Sequence, residues 1–407
     1  MLGNRMELLA IVIPGILACS IALTEPAVAG KDNGVPATQA ALLGFPKEPG
    51  KGVSNLPKLA ASKPKPSELR LPIQGKHGKY GYIDGHGREV IQCIYYIAEP
   101  FHDGLAWVLT EPPIMKGGVP PAWSVIDKKG RILFKARYPG FCPFSEGRAG
   151  FRTMGGKMGF IDARGQVIVK PIYDSVGIFH GGRALVWRNN KWGVIDRTGH
   201  IVIPISYARM TPVHEGLIAF SRVKNGPWGY MDKNGKVVIA PKYLEAESFS
   251  GGLGQVTLTA AQAGVKPSQE YNWNPIFAYI DVNGKIAFRA SHPICGNFAE
   301  GVAWMNDGPS DRKAKSSIYV AVDKKGATLF RIDADNVGDF HEGVAAAEVD
   351  GAWGYLNKTG KWAHKPDLRD ADDFDNGFAR VKGEDNRYGY VDRDFHYIWK
   401  SPFLSAD

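Results

Sequence analysis

Cysteine is scarce in this 407-residue chain: there are four, with no CxxC pair and no Cys/His cluster at zinc-ligand spacing. If Cys19 leaves with an N-terminal segment, Cys93, Cys142 and Cys295 remain, an odd number at unmatched positions. That is no disulfide framework. One pair could form in an oxidising compartment, but three buried apolar thiols are the simpler expectation. Gly-x-Ser-x-Gly, P-loop and His-Glu-x-x-His motifs are also missing. No catalytic, cofactor-binding or metal-ligating residue is therefore assigned. The net charge of +9 is mild, with about +4 on residues 30–72 and about +6 on residues 73–407. Without a clustered Lys/Arg stripe, nucleic acid is not an expected partner, whereas anionic surfaces are.

The N-terminal apolar run, residues 8–23, is about 16 residues long and contains Pro14, which is short for a span needing about 20. It follows Arg5 and ends near Ala27-Val28-Ala29, a small-x-small pattern. Residues 1–29 are read as a signal peptide, so the protein is expected to be exported to the periplasm or the medium. Ile16-Leu17-Ala18-Cys19 offers the competing reading of a lipoprotein anchored at Cys19, although Leu17 stands where a small residue is usual. Residues 30–72 are rich in Pro, Lys, Ala and Ser without periodicity and are expected to form a disordered linker.

What the chain has in excess is turn chemistry, with 49 glycines and 27 prolines. It is organised as a repeat of about 35 residues over 73–407. Tyr80-Gly81-Tyr82-Ile83-Asp84, Trp192-Gly193-Val194-Ile195-Asp196, Trp228-Gly229-Tyr230-Met231-Asp232 and Trp353-Gly354-Tyr355-Leu356-Asn357 are copies of one segment. A glycine follows the acid by three residues in eight copies, and a Phe-x-x-Gly block such as Phe101-His102-Asp103-Gly104 comes later. The interval from the acid to the block glycine is 20 residues in all eight full units, from Asp84–Gly104 to Asn357–Gly377. All length variation falls after that glycine. The alternating aromatic segment predicts a strand, Asp-x-x-Gly a tight turn, and the whole unit a three-stranded meander plus an irregular crossing. One such unit cannot bury its aromatics, so neighbours must stack, with the recurring Trp, Tyr and Phe as a core ladder. Glycine beside each Trp predicts close approach of another backbone or ring.

These segments resemble the WG (KWG) repeat family of bacteria, with eight full units and a partial ninth. The resemblance implies an all-β array and no particular activity. Ser124, Ala278 and Val320 replace the glycine of the aromatic-Gly pair in three copies, and Phe395 replaces the turn glycine in the last. Because four-stranded blades ordinarily need about 40 residues, the expectation leans to an open solenoid-like array, with a closed propeller-like ring as the alternative.

His102, His180, His214 and His341 recur at one repeat position and are expected to be a tolerated surface site. Asp103, Glu146, Glu215, Glu300 and Glu342 follow them and are expected to satisfy local backbone donors rather than calcium. The long variable segments 109–122, 257–276 and 306–317 are better candidates for binding, with Lys266, Tyr271, Trp273, Arg312, Lys313 and Lys315 as contact residues. The function expected is an exported, non-catalytic scaffold that binds a protein or acidic glycan of the cell envelope. A glycan-active hydrolase or lyase on the same scaffold is the alternative.

Overall fold

In the computed structural model, which describes residues 64–115, 117–264, 276–290, 294–309 and 316–404, each Asp-x-x-Gly makes the expected hairpin. In the second copy Asp127 Oδ1 accepts the amides of Lys129 and Arg131 at 2.9 and 3.0 Å, and Gly130 takes φ 77°. The pattern recurs at Asp84, Asp162, Asp196, Asp232, Asp281, Asp323, Asn357 and Asp392. Phe-x-x-Gly is a second kind of turn. His102 and Leu105 exchange both backbone bonds around Asp103 (φ 52°) and Gly104 (φ 77°), the two-residue hairpin with both central residues left-handed.

Between these turns the chain forms nine antiparallel sheets, or blades. Blade 2 is Ile97–Ala98, Leu105–Leu109, Trp123–Asp127 and Ile132–Ala136 in that spatial order, and blades 3 to 9 repeat it. We name these strands a to d. Strand a is two residues long in seven blades and six in blade 6, which corrects the three-stranded expectation. Four strands fit into about 35 residues because the inner strand is so short. Blade 1 has three strands, Leu71–Gln74, Tyr80–Ile83 and Glu89–Tyr95, equivalent to b, c and d. The first strand starts two residues inside the stretch assigned to the linker, and a 3-10 turn at Pro66–Glu68 precedes it.

The ring is closed, so the open array expected from unit length is corrected to its alternative, a nine-bladed β-propeller. Each interface is built alike. The c–d turn glycine of one blade lies against strand d of the blade before it: Gly130 on Ile91, Gly165 on Phe134, Gly199 on Val169, Gly360 on Phe330. Gly87 of blade 1 lies in the same way on Ile398 of blade 9. Ile73, Ile83 and Tyr390 are buried together in that seam, and the Tyr390 hydroxyl donates to Pro72 O at 2.9 Å. The partial ninth unit therefore completes blade 9 and caps nothing. The unfilled inner edge of blade 1 is blunted, since Pro72 has no N–H to offer and its carbonyl is taken.

The aromatic-Gly glycine works as expected. In blade 3 strand d carries two extra residues between Tyr173 and Val169, the partners of Met158 and Phe160. A Cβ on Gly159 would lie 2.3 Å from Val169 O. Where Ser124, Ala278 or Val320 stands instead, the c–d ladder runs without that bulge and a side chain fits. The core ladder needs one correction. Trp228 and Trp353 are only half-buried, whereas Tyr82, Tyr230 and Tyr355, two residues after the aromatic, have no exposed surface.

Candidate functional site

A four-stranded antiparallel meander puts its a–b and c–d turns at one end and its b–c hairpins and d-to-a crossings at the other. Every long variable segment is a b–c hairpin, so all of them emerge on one face of the ring, in blades 2, 6 and 7. Lys266, Tyr271, Trp273, Arg312, Lys313 and Lys315 lie outside the described residues, so the contacts proposed for them stay untested. The roots of their loops are described. Thr259 caps the helical turn Ala260–Ala263, and Arg289 donates to Gln262 O at 3.0 Å.

The blade 2 hairpin is pinned at its base and apolar at its tip. Glu111 accepts Arg137 Nη2 at 3.0 Å and the Ala122 amide at 3.2 Å, and Arg137 also donates to Pro120 O. These bonds, the arginine first, hold the Glu111 carboxyl below its usual range. Beyond the clamp Ile114, Met115 and Val119 are 61, 54 and 50% exposed. These three apolar side chains stand in water on a braced loop.

Blades 3 to 5 continue this face with cations. Arg188 and Lys191 flank the tight Asn189-Asn190 turn of blade 4, beneath which Trp187 and Trp192 stack at 6.1 Å. Arg222 lies over Tyr207, ring centroid 5.6 Å away. Asp174 is ion-paired to Lys157 and accepts the Asn189 amide, and these bonds, Lys157 foremost, lower its pKa. A cleft of about 380 Å³ follows between blades 5 and 6. Trp228, Leu244 and Phe277 supply its apolar wall, and Arg209, Asn225, Glu245 and Thr257 its polar groups. Nothing in the periodicity singled out this cleft, because Arg209 and Glu245 stand at one repeat position on adjacent units.

The opposite face holds the a–b turns. His102, His180, His214 and His341 are exposed there, as a tolerated surface site would be. His180 and His214 stack at 5.5 Å, and His102 of blade 2 is close enough to Asp375 of blade 9 to feel its charge across blade 1. That contact marks this rim as the inner one. The acids do satisfy backbone donors, but on the next blade. Asp103, Glu146, Glu215, Glu300 and Glu342 accept the amides of Gly147, Gly182, Gly252, Gly343 and Gly377 at 2.8–2.9 Å. Among the described residues one group, Asp392, Asp394 and His396, could converge on an ion. It is the c–d turn of blade 9, and Asp392 Oδ1 already accepts two amides there. Cys142 is buried and Cys93 half-buried, and burial pushes the Cys93 thiol up to about 11.

Fold and surface together define a β-propeller with one elaborated face. The chain belongs to the WG containing repeat family, which it matches over residues 80–111, 123–157, 158–192, 192–226, 228–258 and 353–388. No curated protein matches it. Among solved structures it is similar to BamB from Moraxella catarrhalis, at 15% identity, covering 67% of this chain and 86% of that one, TM-score 0.39. The computationally designed Ika8 protein matches at 10% identity, covering 71% and 93%, TM-score 0.41. The Dos1 propeller matches at 11%, covering 65% and 84%, TM-score 0.36. Scores this low carry no argument, and the ring rests on its own sheet order and closing contacts.

Proposed function

We propose that this protein is an exported scaffold that binds a macromolecular partner on its hairpin face and carries out no chemistry on it. One observation carries the reading: the only length-variable part of the repeat emerges on a single face, where a braced hairpin exposes Ile114, Met115 and Val119. The rest of the unit is committed to holding blades together, through the turn aspartates, the inter-blade carboxylates and the buried tyrosines. In repeat proteins, loops grafted on a rigid array are where binding residues reside. Residues 1–29 would direct export and 30–63 would let the ring stand away from its point of attachment. Both belong to the proposal, and the cell envelope is the compartment they favour.

A photo-crosslinking residue placed at Met115 is expected to capture a discrete partner in cells, and one at His180 on the opposite face is not. Capture from His180 alone, or the same products from both positions, would sink the assignment of the face.

A further inference from the structure

Charge is spread unevenly over the ring. On the hairpin face the b–c turns of blades 3, 4 and 5 carry Arg152, Lys157, Arg188, Lys191, Arg222 and Lys224. Arg209 opens strand a of blade 5 beside them. Against these seven cations stand two carboxylates along the same path, Asp174, already held by Lys157, and Glu245 in the cleft. The resulting +5 accounts for most of the net +6 of residues 73–407. At the inner rim of the other end, blades 8 and 9 gather Asp339, Asp372, Asp373 and Asp375. A protein of mild average charge thus carries a concentrated cationic sector on blades 3–5, and a field of this kind selects and orients a partner.

We propose that the hairpin face of blades 3–5 docks an acidic, partly apolar polypeptide segment, and that the cleft between blades 5 and 6 receives one of its apolar side chains. This rests on the scaffold reading above and names the chemistry of the partner. Charge complementarity sets the acidic character. Arg188, Lys191 and Arg209 have no salt-bridge partner among the described residues, and arginine forks suit carboxylates in pairs. The apolar character follows from what interrupts the cations. Leu244, Trp228 and Phe277 wall the cleft, and the exposed tip of blade 2 continues the surface beyond blade 3. An evenly charged polymer fits less well, because it has nothing apolar to place against Leu244, Trp228 and Phe277. A single-stranded nucleic acid would need open ring faces for stacking, but Trp192 is 9% exposed and Trp187 is stacked on it.

The test uses the full mature chain and a fluorescent peptide of alternating Glu and Leu residues, titrated by anisotropy at low salt. Saturable binding is expected, weakening about tenfold or more as salt screens the surface charges. Arg188→Glu combined with Arg209→Glu should cost about tenfold or more in affinity. Leu244→Asn should weaken this peptide but not poly-Glu. Lys236→Glu with Lys285→Glu makes the same charge change on the opposite face and should leave affinity unchanged, with melting curves showing that all variants fold. No saturation, or equal loss in both double variants, overturns the proposal. Tighter binding of a sulfated glycan or of single-stranded DNA than of the peptide would overturn the partner class. Capture from Met115 alongside failure of the peptide would refute only the acidic partner and leave the scaffold reading in place.

Discussion

Phe395 shows how one residue position is set by its neighbour. Eight copies place glycine at the end of the c–d turn because a positive φ is needed and the preceding blade presses a side chain, or at Gly87 the Ile398 carbonyl, against it. In the ninth copy the chain keeps the turn, with Phe395 at φ 61° and its amide on Asp392 O at 3.0 Å. The residue beneath it is His364 rather than Phe or a branched aliphatic, and the Phe395 ring stacks on it at 4.9 Å while touching Tyr355 and Phe374. The aromatic has moved from strand d to the turn, and its contacts offset the cost of the left-handed backbone, about 1 kcal/mol or more. The aromatic-Gly glycine allows no such exchange. Gly159→Ala is expected to lower stability by about 2 kcal/mol or more, since a backbone carbonyl cannot move aside. Ala278→Gly should cost about 1 kcal/mol, through strand entropy alone. Thermal melting of the two variants checks this, and equal losses would contradict the bulge as the cause.

Between blades, the elements that hold the ring were only partly visible in the repeat. Tyr82, Tyr230, Tyr279 and Tyr355 donate their hydroxyls to the carbonyl two residues before the block Phe of the next blade: Glu99, Glu247, Gly296 and Asp372. In blades 2 and 7 that strand c position is Val125 or Ala321. There the facing strand b residue, Trp107 or Trp304, reaches the same carbonyl position, on Cys142 or Gly338, through its indole N–H. Blades 3 and 4, with Phe160 and Val194, have no donor at either place. No aligned column shows this, because the donor changes strand while the acceptor is a backbone atom of any residue type. Tyr355→Phe should therefore destabilise by about 1 kcal/mol, leaving the Asp372 carbonyl without this donor. Restoring the donor at position 356 should not rescue it, because that side chain faces the other side of the sheet. Melting temperatures of the two variants decide the point.

At the scale of the whole molecule, closure and charge set the behaviour. The seam has no shared strand, so it depends on side chains. Tyr390→Ala should cost about 3–5 kcal/mol and expose blade 1 to proteolysis before the other blades. Limited digestion that begins elsewhere would show that the seam is not the weak interface. Acid sensitivity follows from the turns. Burial pushes Asp84, Asp127 and Glu300 up, but their partners outweigh it: Arg88, Arg131 and Lys358, each joined by two backbone amides. Asp196 is lowered by Thr198 first of all. All four stay below the usual carboxylate range, so each stabilises the fold fully above its unfolded pKa of about 4 and loses that contribution as pH falls through the folded value. Glu99, Asp339 and Asp373 are raised by burial and act the other way, gaining stability as pH falls through their folded values. The melting temperature should consequently fall steeply only below about pH 4. Asp127→Asn should flatten part of that fall, as the natural Asn357 turn keeps both amide bonds without a charge.

The sequence by itself determined the strand, the two turns, the fixed spacing between them and the all-β repeat, because each of these is enforced within a few residues by φ, side-chain length and alternation. It also located the variable hairpins, since only a connection free of inter-blade contacts can change length. It did not reveal the fourth strand, whose two residues carry no pattern, or the clustering of seven cations from three units onto one face. Those, and the closure of the ring, were decided by tertiary structure. The small rotation between neighbouring blades is set by how Gly, Ile, Val and Phe side chains pack across each interface, and only when nine such rotations accumulate does blade 9 meet blade 1.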